Sequence, residues 1–145
     1  MKFQLLIFLF SSIISTNNFQ NPGDDVLGIW ETDDGKAKIE IYKASGKYSG
    51  KIVWLKEPKN EKGEIKLDKE NPDKELRSRP IMGINLVRDF TFDGDDRWEG
   101  GKIYDPENGK TYSCYMKLRK GKLQVRGYIG LTMFGRTVTW TRSSL

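Results

Sequence analysis

Two short aromatic segments bracket this chain, and nothing between them has the pattern of a long helix. Gly28-Ile29-Trp30 opens the first strand-like run, and Phe134-Gly135-Arg136-Thr137-Val138-Thr139-Trp140 stands near the end. The intervening segments alternate apolar and polar residues with a period of two, the pattern of a half-buried strand. A tryptophan on a first strand and an arginine on a last strand can stopper one end of a closed barrel. The indole supplies a flat apolar face and the guanidinium stacks on it. Closure also removes the free edges that an open sheet would leave. Trp30 and Arg136 (or Arg142) are therefore expected to close the barrel floor.

The strand pattern can be followed along the chain. Val26 to Thr32 ends at the turn Asp33-Asp34-Gly35. In the next run Ala37, Ile39 and Ile41 face one way and Lys38, Glu40 and Tyr42 the other. After Ser45-Gly46, a run over 47–55 places Tyr48, Gly50, Ile52 and Trp54 on one face, with Gly50 marking a bend or bulge. Ile84, Leu86, Arg88, Phe90 and Phe92 share a face of the following strand. Runs over 97–104, 111–118, 122–129 and 136–141 complete about eight strands. The expected fold is all-β: one antiparallel up-and-down barrel over 24–145.

Residues 56–80 (KEPKNEKGEIKLDKENPDKELRSRP) break the rhythm with a long, highly charged loop. Such loops are usually functional or flexible. Asn71 is expected to cap a helical turn that has Pro72 at its first position and ends before Pro80.

Residues 1–16 resemble a secretory signal. Lys2 precedes the apolar run Phe3 to Phe10, and a cleavage point is expected between about Ser15 and Gln20. The run is too short to span a bilayer as a mature helix. Its removal would lower the formal charge from +5 to about +4. Charges of both signs along the chain read as a solvated surface, not a nucleic-acid tail. The single cysteine, Cys114, has no internal disulfide partner and sits among apolar alternating positions, so it reads as a small buried hydrophobe.

Several segments together carry a family resemblance. They are Asn71-Pro72-Asp73, Leu76 through Ile81, Gly83, Trp98-Glu99-Gly100-Gly101-Lys102-Ile103-Tyr104-Asp105-Pro106-Glu107-Asn108-Gly109-Lys110-Thr111-Tyr112, Val125 through Gly130, and Phe134 through Trp140. Over about residues 26–142 the chain resembles a bacterial family of small exported proteins catalogued as a domain of unknown function, number two-one-four-seven. The resemblance implies a periplasmic or secreted location and a lipocalin-like barrel. It implies no established activity. The opening Gly28-Ile29-Trp30 also resembles the start of lipocalins.

Catalytic chemistry has little to work with here. The chain has no histidine, the commonest general base and a frequent zinc ligand. Asp93, Asp95 and Asp96 lack the spacing of a calcium loop and read as turn residues. No cofactor or metal is expected. The leading expectation is non-catalytic binding of a small apolar or amphipathic ligand inside the barrel. Candidate lining residues are Ile39, Ile41, Tyr48, Trp54, Leu86 and Arg88, with Phe90, Tyr112 and Met116. Arg88, on an apolar face, would pair with a head group, unless a local twist sends it to solvent or a structural acid such as Glu99 pairs it. Arg77 and Arg79 are further anion candidates, with bonding to helix-end carbonyls and anchoring of the loop the favoured reading. The alternative is an envelope protein-binding module, an inhibitor or assembly factor, that uses the 56–80 loop around a filled barrel. A hollow interior of several hundred Å3 would favour the ligand.

Overall fold

The computed structural model describes residues 21–145; the proposed signal segment and its cleavage point lie outside the described residues. Eight antiparallel strands follow one another around a closed barrel. They are β1 (Gly28–Glu31), β2 (Ala37–Ala44), β3 (Lys47–Leu55), β4 (Asn85–Phe92), β5 (Arg97–Asp105), β6 (Lys110–Arg119), β7 (Lys122–Tyr128) and β8 (Gly135–Ser143). β1 pairs with both β2 and β8, which seals the cylinder. Ser45-Gly46 and Lys120-Gly121 each supply two successive positive φ angles, the requirement of a two-residue hairpin whose twist matches its strands.

The up-and-down order assigns every connection to one end. The N-terminal segment and the turns after β2, β4 and β6 form the floor, whereas the turns after β1, β5 and β7 and the long connection after β3 form the mouth.

At the floor, Pro22–Val26 makes a 3-10 turn capped by the Asn21 side chain, which accepts from the Gly23 amide. This segment plugs the barrel. The Trp30 indole donates to the Val26 carbonyl at 2.8 Å, and the Trp98 indole to the Gly23 carbonyl at 3.1 Å. Gly23 is required sterically: an added Cβ would lie 2.6 Å from the Tyr48 hydroxyl. Trp30 is fully buried. The arginine stacked on it is Arg142, its direct cross-strand neighbour, with the guanidinium carbon 4.0 Å from the ring centroid. Arg142 also donates to the carbonyls of Leu27 at 2.5 Å and Asp25 at 2.7 Å. Arg136 does not close the floor. It pairs with Gly127 near the start of β8, at the mouth. Alternation places 136, 138, 140 and 142 on the same face, so parity alone does not say which arginine meets Trp30.

The floor half of the interior is packed solid. Ile39, Ile41, Tyr48, Phe90, Met116 and Leu123 are buried around Trp30 and Trp98. Glycines make room for the larger side chains. A Cβ on Gly101 would collide with the Phe90 ring, and one on Gly50 would press on Val87 and Ile39. Cys114 is buried in this layer, and the apolar surroundings push its thiol up to about 12, which makes it unreactive.

Two expected inward side chains point outward because the strands bulge. On β3, Ile52 pairs with Ile39 but Trp54 pairs with Lys38, leaving Val53 as an extra residue. The bulge reverses the alternation, and Trp54 lies exposed with the Lys38 ammonium 5.3 Å from its ring centroid. On β4, Val87 pairs with Gly50 and Phe90 with Tyr48, so three steps on β4 face two on β3. Asp89 takes φ 65° at this irregularity, and Arg88 turns to solvent beside Asp89 at 3.4 Å. Glu99 pairs with Arg97 instead.

The connection after β3 is ordered. Short antiparallel bridges join Lys59 to Ile65 and Leu67 to Pro80. Its centre is Asp68, a fully buried carboxylate. Tyr104 donates to one oxygen at 2.5 Å; Asn71 at 2.8 Å and the Arg79 Nε at 3.0 Å donate to the other. Burial and the Asp68 carboxylate push the Tyr104 phenol up to about 12. The helical turn is Lys74–Leu76 and its cap is Asp73, not Asn71. Asn71 instead accepts from the Asp73 amide, while the Arg77 Nε donates to the Asn71 carbonyl at 2.7 Å. Arg77 and Arg79 therefore help hold the loop together, Arg77 through its Nε and Arg79 through its ion pair with Asp68.

Candidate functional site

The mouth half of the barrel is hollow. A cavity of about 670 Å3 opens between the turns after β1, β5 and β7. This is within the range of sites that hold a small organic ligand, roughly 300–1,000 Å3. Trp140 and Val125, both buried, lie at its inner end. Leu86, Ile103, Tyr112 and Val138 line it further out. Gly127 also lines the cavity, where an added Cβ would lie 3.2 Å from the Ile103 side chain.

The rim is polar. Asp33, Asp34, Lys36, Asp105, Glu107 and Arg136 surround the opening. Two of these acids serve their own turns. Asp34 accepts from the Thr32 hydroxyl and the Lys36 amide, and Asp105 accepts from the Glu107 amide. Arg136 shares the inward parity of Val138 and Trp140, and no acid of the described residues lies within salt-bridge distance of it. The Tyr104 phenol is committed to Asp68 and donates nothing to the cavity.

Of the nine candidate lining residues, Leu86 and Tyr112 line this cavity. Ile39, Ile41, Tyr48, Phe90 and Met116 belong to the packed floor half, and Trp54 and Arg88 to the outer surface. Sequence reasoning missed Ile103, Val125, Val138 and Trp140. All four lie on alternating strands, but alternation reports facing and not height in the barrel. Asp93, as expected for a turn acid, accepts from the Asp95 and Arg97 amides. Among the described residues no cluster of acidic or cysteine side chains is arranged to hold a metal.

Residues 28–142 match the family described as an uncharacterized protein conserved in bacteria, DUF2147. The chain belongs to the DUF2147 family. Among curated proteins no sequence matches it. The DUF2147 barrel is similar to a solved structure, protein HP1028 from Helicobacter pylori, described as belonging to the lipocalin family. Identity is 27%, the TM-score is 0.71, and the match covers 81% of this chain and 82% of that one. The closed barrel with its N-terminal plug and open mouth is thus a lipocalin-like architecture.

Proposed function

We propose that this DUF2147 protein is an exported, non-catalytic binder of one small amphipathic molecule. The apolar part lies in the mouth cavity and an anionic head group lies at the rim beside Arg136. The observation that carries this reading is the division of the interior: the barrel packs densely below Trp140 and leaves about 670 Å3 open above it. A protein whose barrel served only as a scaffold gains by filling such a space, because a void forfeits packing energy. Burial of a ligand chain against the cavity wall yields roughly 25 cal/mol per Å2 of apolar surface. Arg136 supplies a planar pair of donors suited to carboxylate, sulfonate or phosphate. Export is supported by the Lys2-led apolar run Phe3 to Phe10.

The hollow mouth favours a ligand over the protein-binding alternative, in which the 56–80 loop would carry the function. The test is titration with the anionic fluorophore anilinonaphthalene sulfonate and with a neutral amphiphile of similar size. Arg136→Gln weakens the anionic probe about tenfold and leaves the neutral one unchanged. Ala37→Trp, which fills the mouth, weakens both. Trp54→Ala and Arg88→Ala change neither. Saturable binding that survives Ala37→Trp would overturn the cavity as the site.

A further inference from the structure

We propose that the β7–β8 hairpin tip is a membrane-docking element that sets the barrel mouth against an anionic lipid surface. The tip is Ile129-Gly130-Leu131-Thr132-Met133-Phe134, and its four large side chains are 63–71% exposed. Hairpin tips ordinarily carry polar turn residues, so this composition costs solubility unless something covers it.

The tip is built to stay extended. The Ile129 amide bonds the Phe134 carbonyl at 3.0 Å, and the Phe134 amide bonds the Leu131 carbonyl at 3.0 Å. Beneath it the Arg126 guanidinium grips the loop, donating to the Thr132 carbonyl at 2.8 Å and the Thr137 hydroxyl at 2.9 Å. The apolar side chains are thereby displayed rather than folded back onto the barrel.

Charge and position identify the occupant. Between Lys122 and Ser143 the β7–β8 hairpin contains no acid, and its basic residues toward the mouth are Arg126 and Arg136. The rim acids Asp33, Asp34, Asp105 and Glu107 stand on the turns after β1 and β5, so it is the hairpin side of the mouth that meets the lipid. The hairpin that presents the apolar tip thus carries only positive charge, Arg126 and Arg136 being nearest to it. Apolar projections with basic flanks are what an anionic bilayer interface accepts. The tip is also continuous with the cavity, because Ile129 and Phe134 line the mouth while remaining exposed. A docked tip would let an amphiphile pass between bilayer and cavity along an apolar path. That route rests on the proposed ligand reading; the docking does not.

The test places an environment-sensitive fluorophore at Met133→Cys or, at the floor end, at Lys120→Cys. The native Cys114 is buried and does not compete for the label. Protein purified as the cell exports it is mixed with vesicles of phosphatidylcholine alone or phosphatidylcholine with phosphatidylglycerol. The label at 133 shifts to the blue and becomes shielded from aqueous iodide, more strongly on anionic vesicles; the label at 120 does neither. Leu131→Asp with Met133→Asp lowers vesicle affinity about tenfold or more. This double variant avoids the cavity lining, so its binding of anilinonaphthalene sulfonate is unchanged. Vesicle binding unaffected by the double variant, equal shifts at both labels, or a shift that depends on protein concentration without vesicles would overturn the proposal, the last by assigning the tip to a second copy of the chain.

Discussion

The floor and mouth halves of this barrel are made from the same eight strands but solve opposite problems. At the floor, every large side chain has a partner: Trp30 bonds Val26 and lies under Arg142, Trp98 bonds Gly23, and Phe90 occupies the space left by Gly101. At the mouth, Leu86, Val138 and Trp140 face open volume, and Arg136 has no ion-pair partner among the described residues. The two arginines of β8 make the contrast concrete. They lie on the same face of one strand, yet Arg142 is fixed by two carbonyls and an indole, while Arg136 is left available. Dense packing is concentrated at one end of the cylinder and open volume at the other.

The sharpest division is expected from Trp30→Ala, which should cost about 3–5 kcal/mol in a denaturant or thermal melt because a buried indole leaves a cavity. A small loss would break the division by showing that the floor does not carry the fold. Asp68→Ala comes next, at about 3 kcal/mol, since Arg79, Asn71 and Tyr104 lose their shared acceptor. Its signature is faster hydrogen exchange across 56–84, with the barrel strands less affected. Arg142→Ala should cost about 2 kcal/mol, whereas Arg136→Ala should stay within about 0.5 kcal/mol of wild type and act on ligand affinity instead. Equal melting losses for the two would erase the distinction between them.

The smallest effect is acid-dependent. Tyr48 and Lys43 hydrogen-bond Asp24 in the plug and hold its carboxyl below the usual carboxylate range. A lowered folded-state pKa stabilises the protein above the unfolded value, about 4, and that contribution is lost as pH falls through the folded value. Melting temperature should drop with acidification over that window, and Asp24→Asn should flatten the drop. The change is expected at the floor, leaving the rim unaffected.

The strand count, the closed topology and the tryptophan stopper were legible because period-two alternation and turn chemistry are local signals. What was illegible depended on register. The extra residue Val53 sent Trp54 outward, and the irregularity at Asp89 did the same to Arg88. Neither leaves a mark in the pattern beyond an aspartate tolerating positive φ. Asp68 looked like any acid of a charged loop, since its partners Arg79 and Tyr104 come from eleven and thirty-six positions away. The apolar tip was different: Ile129, Leu131, Met133 and Phe134 stand where a hairpin should be polar, a signal that pattern reading can use.

The division of the interior is tested most directly by the indole N–H signals in a proton–nitrogen correlation spectrum during titration with anilinonaphthalene sulfonate. Trp140 lines the cavity, Trp30 and Trp98 lie in the packed half, and Trp54 is outside. The Trp140 signal should move with saturation while those of Trp30, Trp98 and Trp54 hold their positions. Movement of Trp30 and Trp98 together with Trp140, or of Trp54 alone, would contradict a barrel that is solid at one end and open at the other.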